Sequence, residues 1–384
     1  MTASNELSFY PTDLTADELA LQAQVRAFLE RELPPGSFEP GLGMGAHGDK
    51  EFSLKLGANG YLGMAIPKRY GGGERKAVDR FVVVEELLRW GAPIGRTWVA
   101  DRQTGPVLVK FGTEEQRERF LPGICRGEIA FSIGMSEPDS GSDLASVSTR
   151  ATKTDGGWLL NGTKIWTTNA HINDWFIVLC RTDPDSKRHD GLSQLIVDLH
   201  QEGVEVKPIP YLDGTAEFNE VVMTDVFVPD ELVLGQVGMG WAQNTSELAY
   251  ERGGPDRWLS PFVLVQAFLR EMPDLAATDA GQQLIGWATA KWFGLRRLSL
   301  SVARKIDAGG APSAESSLVK EMGSRFEQDV IYQLGRLVDL EPSPESSSLF
   351  ERLLVKATLT NGGFTIRGGT IEILRSVASK GLRS

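Results

Sequence analysis

The stretch of sequence that decides the fold is FSIGMSEPDSGSDLASVSTRATKTDGGWLLNGTKIWTTNAHINDWFIVLC, residues 131–180. Residues 131–136 predict a β-strand, which the polar run 137–143 ends. Pro138 removes a backbone donor there, and Gly141 permits backbone angles that other residues avoid. We therefore expect a tight loop whose amides and hydroxyls face outward. Such a loop suits an anion, because successive N–H groups can converge on phosphate oxygens.

Two hairpin turns are predicted after this loop, at Asp155-Gly156 and at Asn161-Gly162. The strand after the second turn carries Trp166 and Thr168. Side chains two residues apart share one face of a strand, so these two are predicted to point the same way. A flat aromatic wall beside a hydroxyl is what a planar heteroaromatic cofactor needs.

This block resembles the acyl-CoA dehydrogenase family, flavoproteins in which helical domains flank a mid-chain β-domain. The first flavin-contacting loop of the family is matched by Met135, Ser136, Gly141 and Ser142. The second, a W-x-T strand, is matched by Trp166 and Thr168. The resemblance implies FAD as cofactor, with the indole against the isoalloxazine and the threonine hydroxyl near the nitrogen that accepts hydride. An ordinary hairpin with a buried tryptophan would explain any one feature alone, but not the ordered set.

Composition narrows the class of protein. The 384 residues carry a formal charge of −11, from 40 basic and 51 acidic side chains, which argues against a nucleic-acid or anionic-membrane surface. The two cysteines, Cys125 and Cys180, form no C-x-x-C, which favours buried thiols in a reducing compartment. The four histidines lack HExxH spacing, so no metal site is expected. Without a predicted signal peptide or an apolar run of about 20 residues, we expect a cytoplasmic protein.

The pattern along the chain predicts an α+β protein with three domains. These are an N-terminal helical domain over 1–129, a middle β-domain over 130–235 and a C-terminal helical bundle over 236–384, which the resemblance implies is a four-helix domain. Helical spacing of apolar residues predicts helices at 15–33, 50–59, 75–90, 97–111, 114–125, 239–271, 279–308, 314–339, 346–360 and 370–380. A capping box is predicted at Thr113 and Gln116. The absence of a G-x-G-x-x-G after a strand excludes a Rossmann flavoprotein.

The resemblance implies α,β-dehydrogenation of an acyl thioester, which needs a carboxylate base for the α-proton. In much of the family that base is a Glu in a Y-E-G-T motif near the C-terminus. The matching stretch here is IRGGTIEILR, residues 366–375, with Arg367 at the Tyr position and Gly368 at the Glu position. Glycine cannot act as a base, so the C-terminal motif does not supply one.

A second arrangement, in the isovaleryl-CoA and long-chain branches, places the base Glu directly before an Arg on a central helix. Glu251 and Arg252 stand at that place. The resemblance therefore implies Glu251 as the base, with Arg252 and Ser142 near the substrate thioester. Thr370 and Glu372 match positions that contact the diphosphate side of the cofactor. Without the family context, an ordinary pair on a helix surface would be the simpler explanation of Glu251 and Arg252.

Three departures from the family pattern concern CoA and the adenosine end of the cofactor. An Asp that helps hold the CoA arm is replaced by Ala249, and the R-x-x-F-G segment that reaches a neighbouring subunit's cofactor is not found. The family's Gln-x-x-Gly-Gly is reduced to QLGR at 333–336. Because the family normally supplies the adenosine contacts across an interface, their erosion suggests an unlike partner. Some steroid-degrading members are similar in having I-R-G-G-T and pairing two different chains.

Three functions stay open at this point. The first is an FAD-dependent acyl-CoA dehydrogenase of fatty acid or steroid catabolism, acting alone or as the catalytic chain of a hetero-oligomer. The second is a non-catalytic partner that completes another chain's site, and the third is an O₂-using acyl-CoA or nitroalkane oxidase. The expected partners are an acyl-CoA, an electron-transfer flavoprotein or equivalent acceptor, and either copies of this chain or a second acyl-CoA dehydrogenase-like chain. The acyl group cannot be predicted, because its pocket combines side chains of several helices.

Overall fold

The computed structural model describes residues 9–43, 48–186, 188–339 and 341–381, except for the side chains of 246–251. The chain divides into two compact units. The helical unit comprises Met1–Ala46, Lys76–Ala92 and Ala249–Ser384. The sheet unit comprises His47–Arg75 and Pro93–Leu248. The three-domain boundaries at 129/130 and 235/236 stay a prediction.

The strands of the described residues all lie in the sheet unit. They are β1 Phe131–Gly134, β2 Arg150–Thr154, β3 Gly157–Thr168, β4 Trp175–Arg181, β5 Leu192–Asp198, β6 Val204–Ile209 and β7 Phe218–Pro229. Their order is β1-β4-β2-β3-β7-β6, and β5 pairs with β4. The β1–β4 pair is parallel, whereas β2–β3, β3–β7, β4–β5 and β6–β7 are antiparallel. A mixed sheet amid helices confirms the predicted α+β class.

The described helices match most of the predicted ones. They are α1 Ala16–Glu32, α2 Lys50–Ala58, α3 Ala77–Trp90, α4 Gly95–Val99, α5 Gly105–Phe111, α6 Glu114–Cys125, α7 Gly240–Glu251, α8 Phe262–Glu271, α9 Pro273–Ala276, α10 Asp279–Asp307, α11 Ser313–Leu337, α12 Leu349–Thr360 and α13 Ile371–Gly381. The continuous helix predicted over 239–271 is wrong. Gly253, Gly254 and Pro255 interrupt it between α7 and α8, because glycine is costly in a helix and proline lacks the donor.

The sheet unit has its core between the sheet and helices α5 and α6. Phe120 of α6 packs edge-on against Phe131 and Trp175, with ring centroids 5.5 and 5.0 Å apart. The predicted capping box at the start of α6 is confirmed, since Thr113 and Gln116 each bond the other's backbone N–H. These contacts fix β1 and β4, and hence the loop that follows β1.

The helical unit packs α1 and α3 with the helices of the C-terminal part. Its apolar core includes Phe28, Leu300 and Val330, all almost fully buried. Ion pairs join helices that are distant in sequence: Arg304 of α10 lies 2.6 Å from Glu18 of α1. Among the described helices, none is both long enough and apolar enough to cross a lipid bilayer.

Candidate functional site

The centre of the sheet unit's candidate site is a distortion in β3. The register with β7 shifts between Lys164 and Thr167, and Trp166 adopts a φ of 60°. A bulky residue in this left-handed region is an outlier that costs about 1–3 kcal/mol and clusters at functional sites. Thr167 is fully buried, whereas Trp166 is 55% exposed and Thr168 is half-buried. The bulge thus leaves the indole exposed, while Thr168, two residues on, is half-buried.

The predicted hairpin at Asn161-Gly162 is wrong, because these residues lie inside the continuous strand β3. Gly162 has a φ of 148° at a second register shift, and a Cβ there would lie 2.5 Å from the Thr149 hydroxyl oxygen. Asn161 exchanges hydrogen bonds with Asp225 on β7, donating from its amide and accepting from the Asp225 N–H, each at 2.9 Å. This glycine therefore makes a bulge rather than a turn, whereas Gly156 makes the predicted turn between β2 and β3.

The exposed indole has an aromatic support on one edge. The Trp166 ring meets the Phe218 ring edge-on, with centroids 6.0 Å apart, and Phe218 meets Tyr211 in the same way at 5.7 Å. Burial, with Glu217 and Asp213 nearby, raises the pKa of the Tyr211 hydroxyl far above its usual value, so it stays neutral. The supported ring offers a flat apolar surface for a planar ligand.

The loop after β1 is tightly closed. Glu137 and Ser140 exchange backbone hydrogen bonds of 2.8 and 3.1 Å, while Gly141 and Ser142 lie exposed at the tip. Gly141 has no positive φ, so the backbone freedom predicted for it is not used. The loop reaches β3 directly, because the Ile165 N–H donates to the Ser136 carbonyl at 3.0 Å. The residues predicted for the first and second flavin contacts are thus brought together within one unit.

A buried ion pair that the sequence analysis missed joins the same two segments. Lys164 is fully buried, and its Nζ lies 2.8 Å from Glu137 Oε1 and 3.0 Å from the Met135 carbonyl oxygen. Burial alone would raise the pKa of Glu137, but the Lys164 charge and hydrogen bonds from Lys164, Thr149 and Ser148 outweigh it and hold the pKa at about 2. The only signal in the sequence for this pair was Lys164 itself, a charged residue within the strand that carries Trp166 and Thr168.

The helical unit contains the C-terminal motif. Gly368 and Gly369 have φ values of 68° and 100°, and the Arg252 Nε donates to the Gly368 carbonyl at 3.0 Å. A Cβ on Gly368 would lie 3.1 Å from the guanidinium of Arg257, which is buried beside Asp256 at 2.8 Å. The position that carries the base elsewhere in the family is therefore lined by a guanidinium. The side chain of Glu251 lies outside the described residues.

More cations surround this segment. Arg367 lies 2.5 Å from the buried Glu327, and the Lys320 Nζ donates to the carbonyls of Phe364 and Thr365 at 3.1 and 3.0 Å. Burial, followed by the charges of Arg257 and Arg367, lowers the pKa of Lys320 to about 7. The segment is thus electropositive, and a carboxylate placed there would have a lowered pKa and be a weak base.

Thr370 and Glu372 lie at the start of α13. The Thr370 hydroxyl accepts a hydrogen bond from the Ile373 N–H at 3.4 Å, and Glu372 is exposed. The backbone N–H groups at a helix N-terminus can donate to an anion such as a diphosphate. Here the Ile373 N–H already donates to the Thr370 hydroxyl. In the described part of the chain, no group of three His, Cys, Asp or Glu side chains could hold a metal ion.

Comparison with known proteins settles the family. Residues 15–128 match the model of the acyl-CoA dehydrogenase N-terminal domain, and residues 132–226 match that of the middle domain. The acyl-CoA dehydrogenase IpdE1 of Mycobacterium tuberculosis is 39% identical over 288 residues, covering 72% of this chain and 74% of the relative. The chain belongs to the acyl-CoA dehydrogenase family. The predicted family is confirmed, and with it the class of oxidoreductases acting on CH–CH groups.

Other members of the acyl-CoA dehydrogenase family match most of this chain. Acyl-CoA dehydrogenase FadE34 of M. tuberculosis is 34% identical over 87% of the chain, which spans only 46% of that relative's length. A solved steroid acyl-CoA dehydrogenase, Tcur3481-Tcur3483, has a TM-score of 0.86 at 29% identity over 98% of this chain and 99% of its own. The ChsE4-ChsE5 complex of M. tuberculosis has a TM-score of 0.81 at 25% identity, over 97% and 98% of the two chains. The acyl-CoA dehydrogenase fold is thereby confirmed.

Proposed function

We propose that this acyl-CoA dehydrogenase oxidises an acyl-CoA to the 2-enoyl-CoA, with FAD as the oxidant. The observation that carries the proposal is the left-handed Trp166, 55% exposed on a bulge that is hydrogen-bonded to the loop after β1. Backbone strain that holds a large ring in solvent destabilises the protein when no ligand is bound. Such strain is found at sites that clamp ligands. An isoalloxazine packed against the indole would offset the energetic cost of the bulge.

The residues present fit a flavin. We assign its contacts to Met135, Ser136, Gly141, Ser142, Trp166 and Thr168, with Thr370 and Glu372 toward the diphosphate. The half-buried Thr168 hydroxyl and the exposed Ser142 hydroxyl can donate to ring or phosphate acceptors. FAD, when bound, accepts the hydride from the β-carbon.

We propose Glu251 as the base that removes the α-proton. The other family position, Gly368, is lined by the Arg257 guanidinium, which would pair with any carboxylate placed there and lower its pKa. Arg252, adjacent in sequence, is nine-tenths buried, so its charge is poorly screened. A cation and hydrogen-bond donors near the thioester would stabilise the negative charge that develops on the carbonyl oxygen as the α-proton leaves.

The proposed setting is steroid or fatty acid catabolism in the cytoplasm, with an electron-transfer flavoprotein or an equivalent acceptor. The steroid setting is supported by the structural relative named as a steroid acyl-CoA dehydrogenase. We propose a hetero-oligomer with a second acyl-CoA dehydrogenase-like chain, since R-x-x-F-G is not found, Gln-x-x-Gly-Gly is reduced to QLGR and the relative ChsE4-ChsE5 is a complex.

The second candidate function, a non-catalytic partner subunit, is favoured by the same missing segments. The two candidates separate on one experiment. The chain is purified with and without a co-expressed neighbouring homologue, its visible spectrum is recorded, and acyl-CoA is added without oxygen. Bound flavin whose reduction by acyl-CoA depends on Glu251 supports the enzyme function. No flavin in any preparation would refute the proposal, and activity insensitive to Glu251→Gln favours the partner role.

A further inference from the structure

The Glu137–Lys164 pair lies between the two segments that form the proposed flavin site. Lys164 is fully buried in β3, two residues before Trp166. Its Nζ donates to two groups of the loop after β1: the Met135 carbonyl and the Glu137 carboxylate. The lysine therefore ties the loop to the strand at a point adjacent to both predicted contact regions.

The carboxylate of Glu137 ties in a third segment. Its Oε2 accepts from the N–H and the hydroxyl of Ser148, both at 2.7 Å, and its Oε1 also accepts from the Thr149 N–H at 2.9 Å. Those residues lead directly into β2. One buried carboxylate thus accepts hydrogen bonds from the segment before β2 and from β3 while its own backbone closes the loop.

Glycine at position 134 makes room for the lysine. A Cβ there would lie 2.9 Å from the Lys164 Cγ and 2.2 Å from the Phe176 ring. The lysine stem therefore crosses β1 where a side chain is missing. A buried ion pair is weak evidence for stability, because apolar residues of similar volume often serve as well. The hydrogen bonds that link three segments through the Glu137–Lys164 pair indicate a role in fixing conformation rather than in overall stability.

We propose that Glu137 and Lys164 are positioning residues that hold loop 135–143 against the Trp166 bulge in the conformation that accepts the flavin. The flavin part of this inference rests on the proposed function, while the loop-holding part does not. The pair keeps the loop closed before any ligand arrives, so the ordering is complete in the flavin-free chain. Removing it opens the loop locally and weakens flavin binding.

Hydrogen exchange of the flavin-free chain tests the loop-holding part. The variants are Lys164→Met, Glu137→Gln and the apolar double variant Glu137→Leu/Lys164→Met. Lys153→Met is the matched control, because Lys153 pairs with Asp230 at 2.7 Å in the same unit with both side chains about half-exposed. Exchange in 135–143 is compared with exchange in residues 176–179 of β4, which report global opening.

In all three pair variants, we expect exchange in 135–143 to rise at least about tenfold more than exchange in 176–179. In the control, we expect exchange in the two segments to change by the same factor. A tenfold difference corresponds to a modest free energy of local opening. The FAD dissociation constant should rise by about tenfold in the double variant, even where its Tm matches the parent. Equal acceleration of both segments, or a double variant with parental loop exchange and FAD affinity, would overturn the proposal. A parent that binds no FAD refutes the proposed function instead, and the exchange comparison still decides on the pair.

Discussion

Loop 135–143 with the Trp166 bulge, in the sheet unit, differs in charge balance from the diglycine at 368–369, in the helical unit. In the sheet unit one buried cation, Lys164, meets one buried anion, Glu137. Near the diglycine, the buried or partly buried cations Arg252, Arg257, Lys320 and Arg367 accompany the buried acids Asp256 and Glu327. In the first region the two buried charges balance each other, and the nearby Trp166 ring is exposed. In the second region, glycine stands at the family's carboxylate position, and the Arg257 guanidinium lines it.

The largest expected effect tests whether the diglycine region can regain a base. In a Glu251→Gln background, adding Gly368→Glu should leave flavin reduction about 10²–10⁴ below the parent, the range of general-base catalysis. The reason is that the new Cβ would meet the Arg257 guanidinium at 3.1 Å, on a backbone with a φ of 68°. Stopped-flow reduction by acyl-CoA measures it. Recovery to within tenfold of the parent would show that position 368 can supply the base despite the Arg257 guanidinium.

Removing one partner of the matched pair should destabilise the sheet unit strongly. Lys164→Met leaves Glu137 buried and unpaired, at an expected cost of about 3–5 kcal/mol. Chemical denaturation followed by tryptophan fluorescence measures the loss. The apolar double variant should recover most of that loss, and a double variant as unstable as the single one would contradict this account of the pair.

Acid should weaken the same region in a defined window. The pKa of Glu137 falls from 4.5 to about 2 on folding, so its contribution is complete above pH 4.5 and is lost as the pH falls toward 2. The charged carboxylate therefore contributes about 3 kcal/mol above pH 4.5, since the two pKa values differ and each tenfold difference in proton affinity corresponds to about 1.4 kcal/mol. Unfolding free energies of the parent and Glu137→Gln, measured between pH 2 and 6, should converge at the acid end. A constant difference would contradict the assignment.

The smallest effect is expected at the exposed pair. Lys153→Met removes a contact of 2.7 Å to Asp230, but solvent screens both charges, so the unfolding free energy should change by no more than about 1 kcal/mol. Denaturation under the same conditions as for Lys164→Met gives the comparison. A loss equal to that of Lys164→Met would show that burial is not what distinguishes the two lysines.

The sequence predicted what depends on local pattern. The capping box at Thr113, the strands after residue 130 and the turn at Gly156 follow from residue types at fixed spacing. The family followed from an ordered set of motifs, because several weak signals in one order exclude coincidence. The change at Gly368 was also visible, since glycine has no side chain to act as a base.

The remainder depends on contacts between residues distant in sequence. Asn161-Gly162 fits a turn as well as a bulge, and only pairing with Asp225 and the proximity of Thr149 select the bulge. Lys164 finds Glu137 across 27 residues, and Arg257 lies beside Gly368 across 111. Register and burial decide these contacts, and neither is fixed by local propensity.

The most direct measurement is anaerobic reduction of the bound flavin in the parent and in Glu251→Gln, each purified with the co-expressed neighbouring homologue. A saturated straight-chain acyl-CoA and a saturated steroid side-chain acyl-CoA serve as probes. We predict that at least one bleaches the visible absorbance of the parent, and that Glu251→Gln binds flavin and acyl-CoA as the parent does but is reduced about 10²–10⁴ more slowly. Reduction of the variant at the parental rate would contradict the assignment of Glu251. A parent that holds flavin but is reduced by neither probe would contradict the proposed dehydrogenation of these two acyl classes.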